Sequence, residues 1–391
     1  MRKPGRRVLP TIIGVAVLAT LGTGTAVITV RPPAAEPAIP QTDKQAQFVA
    51  ASGTTRVTSG AVAPLGKRMT PHVLVAAPSS LPAATIEKIR KNKKVKGVEV
   101  VDAVQAKVGG KQVGLLGVDP STFRNYTPKP TAKSDALWRN IAGGDAAISF
   151  TMGSDGGVKL GTQVPIAGKD GQTSNVRVGA YATMGIGDVD VVISHATAQA
   201  LGMPTANALL VSAPKTDTRA FIKSLKKTLP KGTKAVEVNP PVDYPSANVP
   251  KSNGEVMNSA QVRTVIKAAY SRLGWPYVWG GESEAEGGYD CSGLMQYAFA
   301  AAGIRLPRVA ADQARAGWIV PFDKAQPGDM LIWANDPTAP GYISHIALYI
   351  GGGKMVAAPH TGTVVQIQNV YMNNFKGAVR VNPRVANSIA G

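Results

Sequence analysis

Between Asn239 and Val256 the chain reads NPPVDYPSANVPKSNGEV, and its four prolines rule out a continuous helix or a central strand through that span. A chain broken in this way builds two separate cores rather than one. The expected organisation is a signal segment over residues 1–30 and an extended spacer over 31–65. A folded unit over 66–244, a linker over 245–260 and a second folded unit over 261–391 follow. The overall class is α+β: an N-terminal anchor helix, an α/β middle domain and a C-terminal α+β domain.

The first thirty residues fix the compartment. MRKPGRR is a short basic stretch, and the 23 residues from Val8 to Val30 that follow carry no charge. A bilayer crossing needs about 20 such residues. The basic flank stays in the cytoplasm, so everything from Arg31 onward is exported. Two readings stand. The length of the run favours an uncleaved single-pass signal anchor, while a cleaved signal peptide, with an apolar core of about 7–15 residues, would release the chain. RPPAAEPAIPQTDKQAQ, Arg31 to Gln47, is rich in proline and alanine and reads as an extended spacer.

Charge matters next. The chain has 43 Lys and Arg against 24 Asp and Glu, a formal net charge of +19. Such a surface expects anionic partners. Export argues against nucleic acid and leaves anionic wall polymers or a lipid surface.

The unit over 66–244 holds a weak internal repeat. HVLVAAPSSLPAATIEKIRKNKKVKGVEVVD starts at His72 and NALLVSAPKTDTRAFIKSLKKTLPKGTKAVEVNP at Asn207. Each reads as an apolar strand, an Ala-Pro turn, a basic helix and a Val-rich strand. Ile86 and Ile89 form the apolar stripe of the first helix, and Phe221, Ile222 and Leu225 that of the second. The repeat suggests two similar halves of an α/β sandwich. Strand-like pieces lie between them: KQVGLLGVD, AAISF, NVRVGAYATMG and DVDVVIS. His72 and His195 have no Cys, Asp or Glu cluster nearby in sequence, and neither is assigned as a metal ligand.

Together VKGVEVV, GKQVGLLGVDPSTF with Asp119, SDALWRNIAGGDAAIS with Trp138, and LGTQVPIAGKDGQTSNVRVGA resemble the extracytoplasmic core domain of FtsX/MacB-type permeases. That resemblance implies a docking, force-sensing or spacer role for this unit rather than catalysis.

The last unit holds the only cysteine of the chain, Cys291, in GGYDCSGLMQYAF. Leu294, Tyr297, Ala298 and Ala301 keep a helical period, and Gly303 ends the helix. Cys291 therefore sits in the first helical turn, where unpaired N–H groups favour an anion, so its pKa is expected to fall. GYISHIALYIGGGKMVAAP reads as a β-hairpin with His345 on its first strand. A first-turn cysteine packed on a strand that carries histidine is the papain-like arrangement, a thiolate–imidazolium pair for attack on a carbonyl. No cofactor is expected. Trp275, Trp279 and Trp333 are either cleft-lining or core, with core as the default.

In order, PYVWGG, YDCSGL, LPR, PGDMLIW and SHIALYIGGGKMVAAP resemble the NlpC/P60 family of cell-wall cysteine peptidases, over Gln261 to about Asn382. The resemblance implies hydrolysis of peptidoglycan stem peptides, at the bond from D-γ-glutamate to the diamino acid. It implies Cys291 as nucleophile and His345 as base, with Tyr277, Asp290, Ser292 and Arg308 binding substrate.

One position departs from the pattern. The family's third polar residue, which orients the histidine, falls in the slot of Ala357, and the hairpin parity puts Ala357 and Pro359 on the face of His345. His360 comes next and is a displaced third catalytic member, a substrate contact or an exposed side chain. An unoriented histidine costs rate. A catalytically weak or inactive wall-binding scaffold of an envelope or conjugation machine, with partner proteins there, is therefore the alternative. An amidase or acyl transferase using the same dyad is a third reading.

Overall fold

The computed structural model describes residues 46–51, 61–108, 111–167, 173–187, 189–238 and 256–390. The uncharged run of residues 8–30 and the break at 239–255 lie outside the described residues. Among the described residues, no helix is long and apolar enough to cross a membrane. The described chain is mixed α and β, with helices and strands in both folded units.

In the first unit, β1 (Val73–Ala76) is buried along its whole length. Helix α1 (Ala83–Arg90) follows and turns Ile86 and Ile89 inward. Then β2 (Gly97–Val108) enters the same sheet. The second repeat does likewise: β8 (Ala208–Ser212) leads into a helix over Thr218–Leu225 and then β9 (Lys234–Glu237). The repeat does not give two side-by-side halves. The strands interleave in the order β2-β8-β1-β9, with β8 antiparallel to both β2 and β1 and β9 antiparallel to β1. This is a split β–α–β arrangement. Both helices cover one face, where Ile86, Ile89, Phe221 and Leu225 pack on Val73, Val75, Leu209 and Val211.

Strand β2 serves two assemblies. Its first residues pair with β8, and Asp102–Val108 pair with β3 (Lys111–Val118). Four more strands follow: β4 (Ala146–Ile148), β5 (Gln163–Ala167), β6 (Thr173–Tyr181) and β7 (Val191–Ser194). The four strand-like pieces read from the sequence fall on β3, β4, β6 and β7, whereas β5 is not among them. The run β3-β7-β4-β6-β5-β2 closes on itself through the β2–β3 pairing around Val104, Leu115, Ile148, Val178 and Ile193. Helix α2 (Asp135–Ala142) packs Trp138 outside this ring, edge-on to Phe123. A short helix, α3 (Phe150–Ser154), capped by the Ser149 side chain, leaves the ring just after β4. The second-repeat helix is α4 in this series.

The second unit opens with α5 (Ser259–Tyr270), started by a reciprocal capping box between Asn258 and Gln261. A two-stranded ribbon, β10 (Glu282–Ser283) with β11 (Gly288–Tyr289), leads to α6 (Cys291–Ala300). Six antiparallel strands follow in the order β12-β17-β13-β14-β15-β16. They are β12 (Gly317–Val320), β13 (Met330–Trp333), β14 (His345–Gly351), β15 (Lys354–Ala357), β16 (Gln366–Asn369) and β17 (Phe375–Val381). Leu294, Met295, Ala298 and Phe299 of α6 pack on Ile332, Ile346, Leu348 and Val356, so the apolar helix is buried against the sheet as its composition requires.

Candidate active site

Cys291 is the first residue of α6, and the residues around it are held tightly. The Asp290 side chain caps the helix: Gly293 N–H donates to Oδ1 at 2.7 Å and the Ser292 hydroxyl donates to the same atom at 3.1 Å. Gly280 N–H donates to Oδ2 at 2.9 Å. Arg308 bonds both carboxylate oxygens, at 3.1 and 2.6 Å, and the Ser292 hydroxyl at 2.8 Å. Position 293 must be glycine, because a Cβ there would collide with the carbonyl of Gly281. Asp290, Ser292 and Arg308 thus form one network around Cys291. Tyr277 is also buried beside it and bridges to Tyr289. Burial pushes its phenol up, and the neighbouring Cys291 and Asp290 add to that.

His345 opens β14, paired with Trp333 of β13, and its ring lies 5.6 Å from the indole. Cys291 and His345 are nearly inaccessible, at 9% and 6% exposed. Burial pushes the thiol up to about 12, and the Asp290 and Asp155 carboxylates add to it, while the Ile346 backbone N–H favours the thiolate. The expected fall in the cysteine pKa is therefore reversed here: desolvation outweighs the helix terminus. Burial likewise pushes His345 down to about 4, helped by nearby His360 and opposed by Asp290. Burial thus favours the neutral thiol and the neutral imidazole.

The hairpin register follows the parity argument. Leu348 pairs with Val356 and Tyr349 with Met355, which puts Ala347 and Ala357 in one row on the His345 face. Ala357 is fully buried among Trp333, Ala347, Tyr349 and Met355, and Gln366 stands opposite it on β16. His360 is exposed beyond the strand, with Nδ1 2.9 Å from the Thr361 carbonyl oxygen. It lines the same cavity as His345. Trp333 is core, its indole N–H donating to the Tyr371 carbonyl, whereas Trp279 packs against the cores of both units.

The cavity at His345 is about 620 Å³ and has walls from both units. Asn335, Ser344, His360 and Tyr371 come from the second unit, and Phe150, Thr151, Ser154 and Asp155 from α3 and the residue after it. None of the α3 residues carries a local motif, so sequence reasoning missed them. Among the described residues, no three His, Cys, Asp or Glu side chains gather as a metal site. His195, though, has a carboxylate partner that its sequence neighbourhood did not show: Asp102 lies 2.7 Å from its Nδ1.

A buried thiol at the start of a helix, packed on a strand that begins with histidine, is the arrangement a papain-like cysteine hydrolase uses. Residues 274–382 match the model of the NlpC/P60 family, and the C-terminal unit is an NlpC/P60 domain. Over 103 residues the chain is 46% identical to the γ-D-glutamyl-L-lysine dipeptidyl-peptidase of Bacillus subtilis, covering 26% of this chain and 34% of that relative. Over 225 residues it is 29% identical to the peptidoglycan endopeptidase RipB of Mycobacterium tuberculosis, covering 55% of this chain and 86% of RipB. The solved structure of RipB aligns at 33% identity, over 34% of this chain and 69% of that one, with a TM-score of 0.29. The chain thus spans about a third of the length of the Bacillus relative.

Proposed function

We propose that the protein is a peptidoglycan hydrolase, a cysteine peptidase that cuts stem peptides at the bond from D-γ-glutamate to the diamino acid. The observation that carries this reading is the NlpC/P60 match over residues 274–382, with Cys291 at the start of α6 and His345 on the facing strand. In the reaction the Cys291 thiolate attacks the scissile carbonyl carbon, and His345, having taken the thiol proton, gives it to the leaving amine. Backbone N–H groups at the start of α6 stabilise the oxyanion. Water then attacks the thioester, His345 takes its proton, and the free thiol returns. Tyr277, Asp290, Ser292 and Arg308 bind substrate in this reading from beside Cys291, while the cavity at His345 is lined by other residues.

The Bacillus relative is named for a γ-D-glutamyl-L-lysine bond and the mycobacterial one for peptidoglycan, and both names support this substrate class. The test is digestion of purified peptidoglycan by the chain from Arg31 onward, beside Cys291→Ala, with products read by mass spectrometry. Stem-peptide fragments are expected, and they should fall by on the order of 10³-fold or more in the variant.

The setting belongs to the same proposal. The uncharged run over residues 8–30 tethers the chain to the cell membrane with its bulk outside, or releases it if cleaved. Anionic wall polymers or lipid headgroups meet the outer face of α1 and α4 and their flanking turns. There Lys88, Lys91, Lys94, Lys223, Lys226 and Lys227 are all exposed. For the middle domain we propose the docking or spacer role implied by its resemblance to the permease core domain, which its two strand–helix–strand units support.

One observation favours a second reading. Ala357 offers His345 no hydrogen-bond acceptor from its side chain, which suits a weakly active or inactive wall-binding scaffold in a larger envelope assembly. Undigested wall that still retains both proteins would support it.

A further inference from the structure

We infer that the middle domain is an inhibitory cap on the peptidase cleft, seated by the segment Phe150–Asp155, and that the enzyme turns over when this cap lifts. The inference rests on the reading of Cys291 and His345 as the reacting pair.

The cap is pinned on two sides of the cleft. On one side, Thr361, which follows His360, donates its backbone N–H to the Asp155 carbonyl at 3.1 Å. On the other, the loop between β13 and β14 is held through Thr338. Its hydroxyl oxygen accepts from Thr183 N–H at 2.9 Å, and its carbonyl accepts from the Thr131 hydroxyl at 3.3 Å. Trp279, from the loop that precedes the nucleophile, adds an apolar contact with the core of the strand ring. Among the described residues the seam includes these hydrogen bonds and this indole contact, with the proline-rich span 239–256 as the covalent connection. That is a contact able to form and release as a unit.

What the cap covers is the reacting pair. A productive substrate carbonyl must come within about 3–3.5 Å of the sulfur. Cys291 is 9% exposed and is not among the residues lining the cavity, which reaches only as far as His345. The α3 side chains Phe150, Thr151 and Ser154 line the same cavity as His345 and so bound the space from which a peptide would reach it. The chemistry agrees with the geometry. Asp155 brings a carboxylate toward the thiol, and a negative charge there opposes the thiolate. Removing the segment lets water reach both groups and takes that carboxylate away. Both changes favour the thiolate–imidazolium form. The capped protein is thus the resting form, and lifting the cap both admits the peptide and ionises the nucleophile.

The test uses the full chain and two variants that loosen the seam from opposite sides. Thr151→Arg puts a long charged side chain into the covered space, and Thr338→Val removes the hydroxyl that receives Thr183 N–H. Thermal melts first establish that each is folded. Cys291 is then alkylated with iodoacetamide and followed by intact mass, and stem-peptide release is measured on the same samples. Each folded variant is expected to alkylate about tenfold faster than the parent, equivalent to about 1.4 kcal/mol of docking, with peptide release rising in parallel. Alkylation and release at the parent rate in both folded variants would overturn the cap. Faster alkylation with no peptide released by any form would leave the cap standing and remove the peptidase reading instead.

Discussion

Arg308 grips Asp290 as a fork, Nη2 2.6 Å from Oδ2 and Nη1 3.1 Å from Oδ1. The same carboxylate caps the helix that begins with Cys291, so the fork, the cap and the thiol are tied into one unit. The sequence motifs LPR and YDCSG are in this sense one device: the arginine holds the aspartate, and the aspartate holds the backbone that aims the thiol.

Cutting the fork should be felt in both stability and rate. Arg308→Met leaves Asp290 largely buried with its ion-pair partner gone, an arrangement that typically costs about 3–5 kcal/mol. Arg308 is 27% exposed, so the lower end of that range is expected. Arg308→Lys keeps the charge and loses the second prong, and should fall between the two. Urea unfolding reads the stability, and kcat on a stem peptide reads the aim of the thiol. Equal unfolding midpoints for parent and Arg308→Met would sink the idea.

Ala357 gives the second prediction. It lies on the His345 face, two residues along the neighbouring strand, and Gln366 faces it on the far side. A glutamine at 357 has the reach to offer its carbonyl to the imidazole. Ala357→Gln should raise kcat by about tenfold with KM little changed, because orienting the base acts on the reaction rather than on binding. The site is fully buried among apolar side chains, so the same change should cost about 1–3 kcal/mol in stability through overpacking. A lower kcat in a folded Ala357→Gln would mean that His345 is already oriented by another group.

How far the sequence could be read follows the range of the interactions involved. Cys291 and His345 were legible because a helix start and a hairpin are local patterns, and the parity of the glycine turn was enough to place Ala357. The two strand–helix–strand units were legible for the same reason. Their interleaving was not, because β1 meets β8 only through pairing between distant parts of the chain. The pKa of the thiol departs from its expected fall for the same reason. The helix terminus is visible in the residues around Cys291, but the burial that overrides it comes from the fold as a whole, and Asp155 from another domain adds to it. In SFTMGSDGG nothing distinguishes Asp155 from any other turn aspartate; only its position against Thr361 does.

The basic face should govern retention on anionic surfaces. α1 and α4 lie side by side on one sheet face, with their lysines outward, and Arg90 makes an ion pair there, with Glu87 at 2.8 Å. Exchanging Lys91, Lys94, Lys226 and Lys227 together for Glu should weaken co-sedimentation with wall or anionic vesicles. It should also flatten the salt dependence, since exposed charges act over only about 10 Å at 0.1 M salt. The exchanged side chains are all exposed, so thermal stability should change little. Retention that is unchanged, or insensitive to salt in the parent, would assign binding to another surface.

The last prediction concerns Glu99, a carboxyl group buried in β2. Burial raises its pKa from 4.5 to about 7; the nearby Asp119 adds to this, while the Thr122 hydroxyl, donating at 2.5 Å, and His195 oppose it. The native state therefore keeps a proton that the unfolded chain gives up first. The stability linked to that proton is complete below about 4.5 and is lost as pH rises through about 7. The shift corresponds to about 3 kcal/mol at most. Glutamine at this position stays neutral, and its carbonyl can still accept from Thr122. Glu99→Gln should thus match the parent near pH 5 and exceed it near pH 8 by up to about 3 kcal/mol. The quantity to measure is the difference in urea unfolding free energy between the two proteins across that range, which cancels groups common to both. A difference that stays flat would show that Glu99 is ionised in the folded protein.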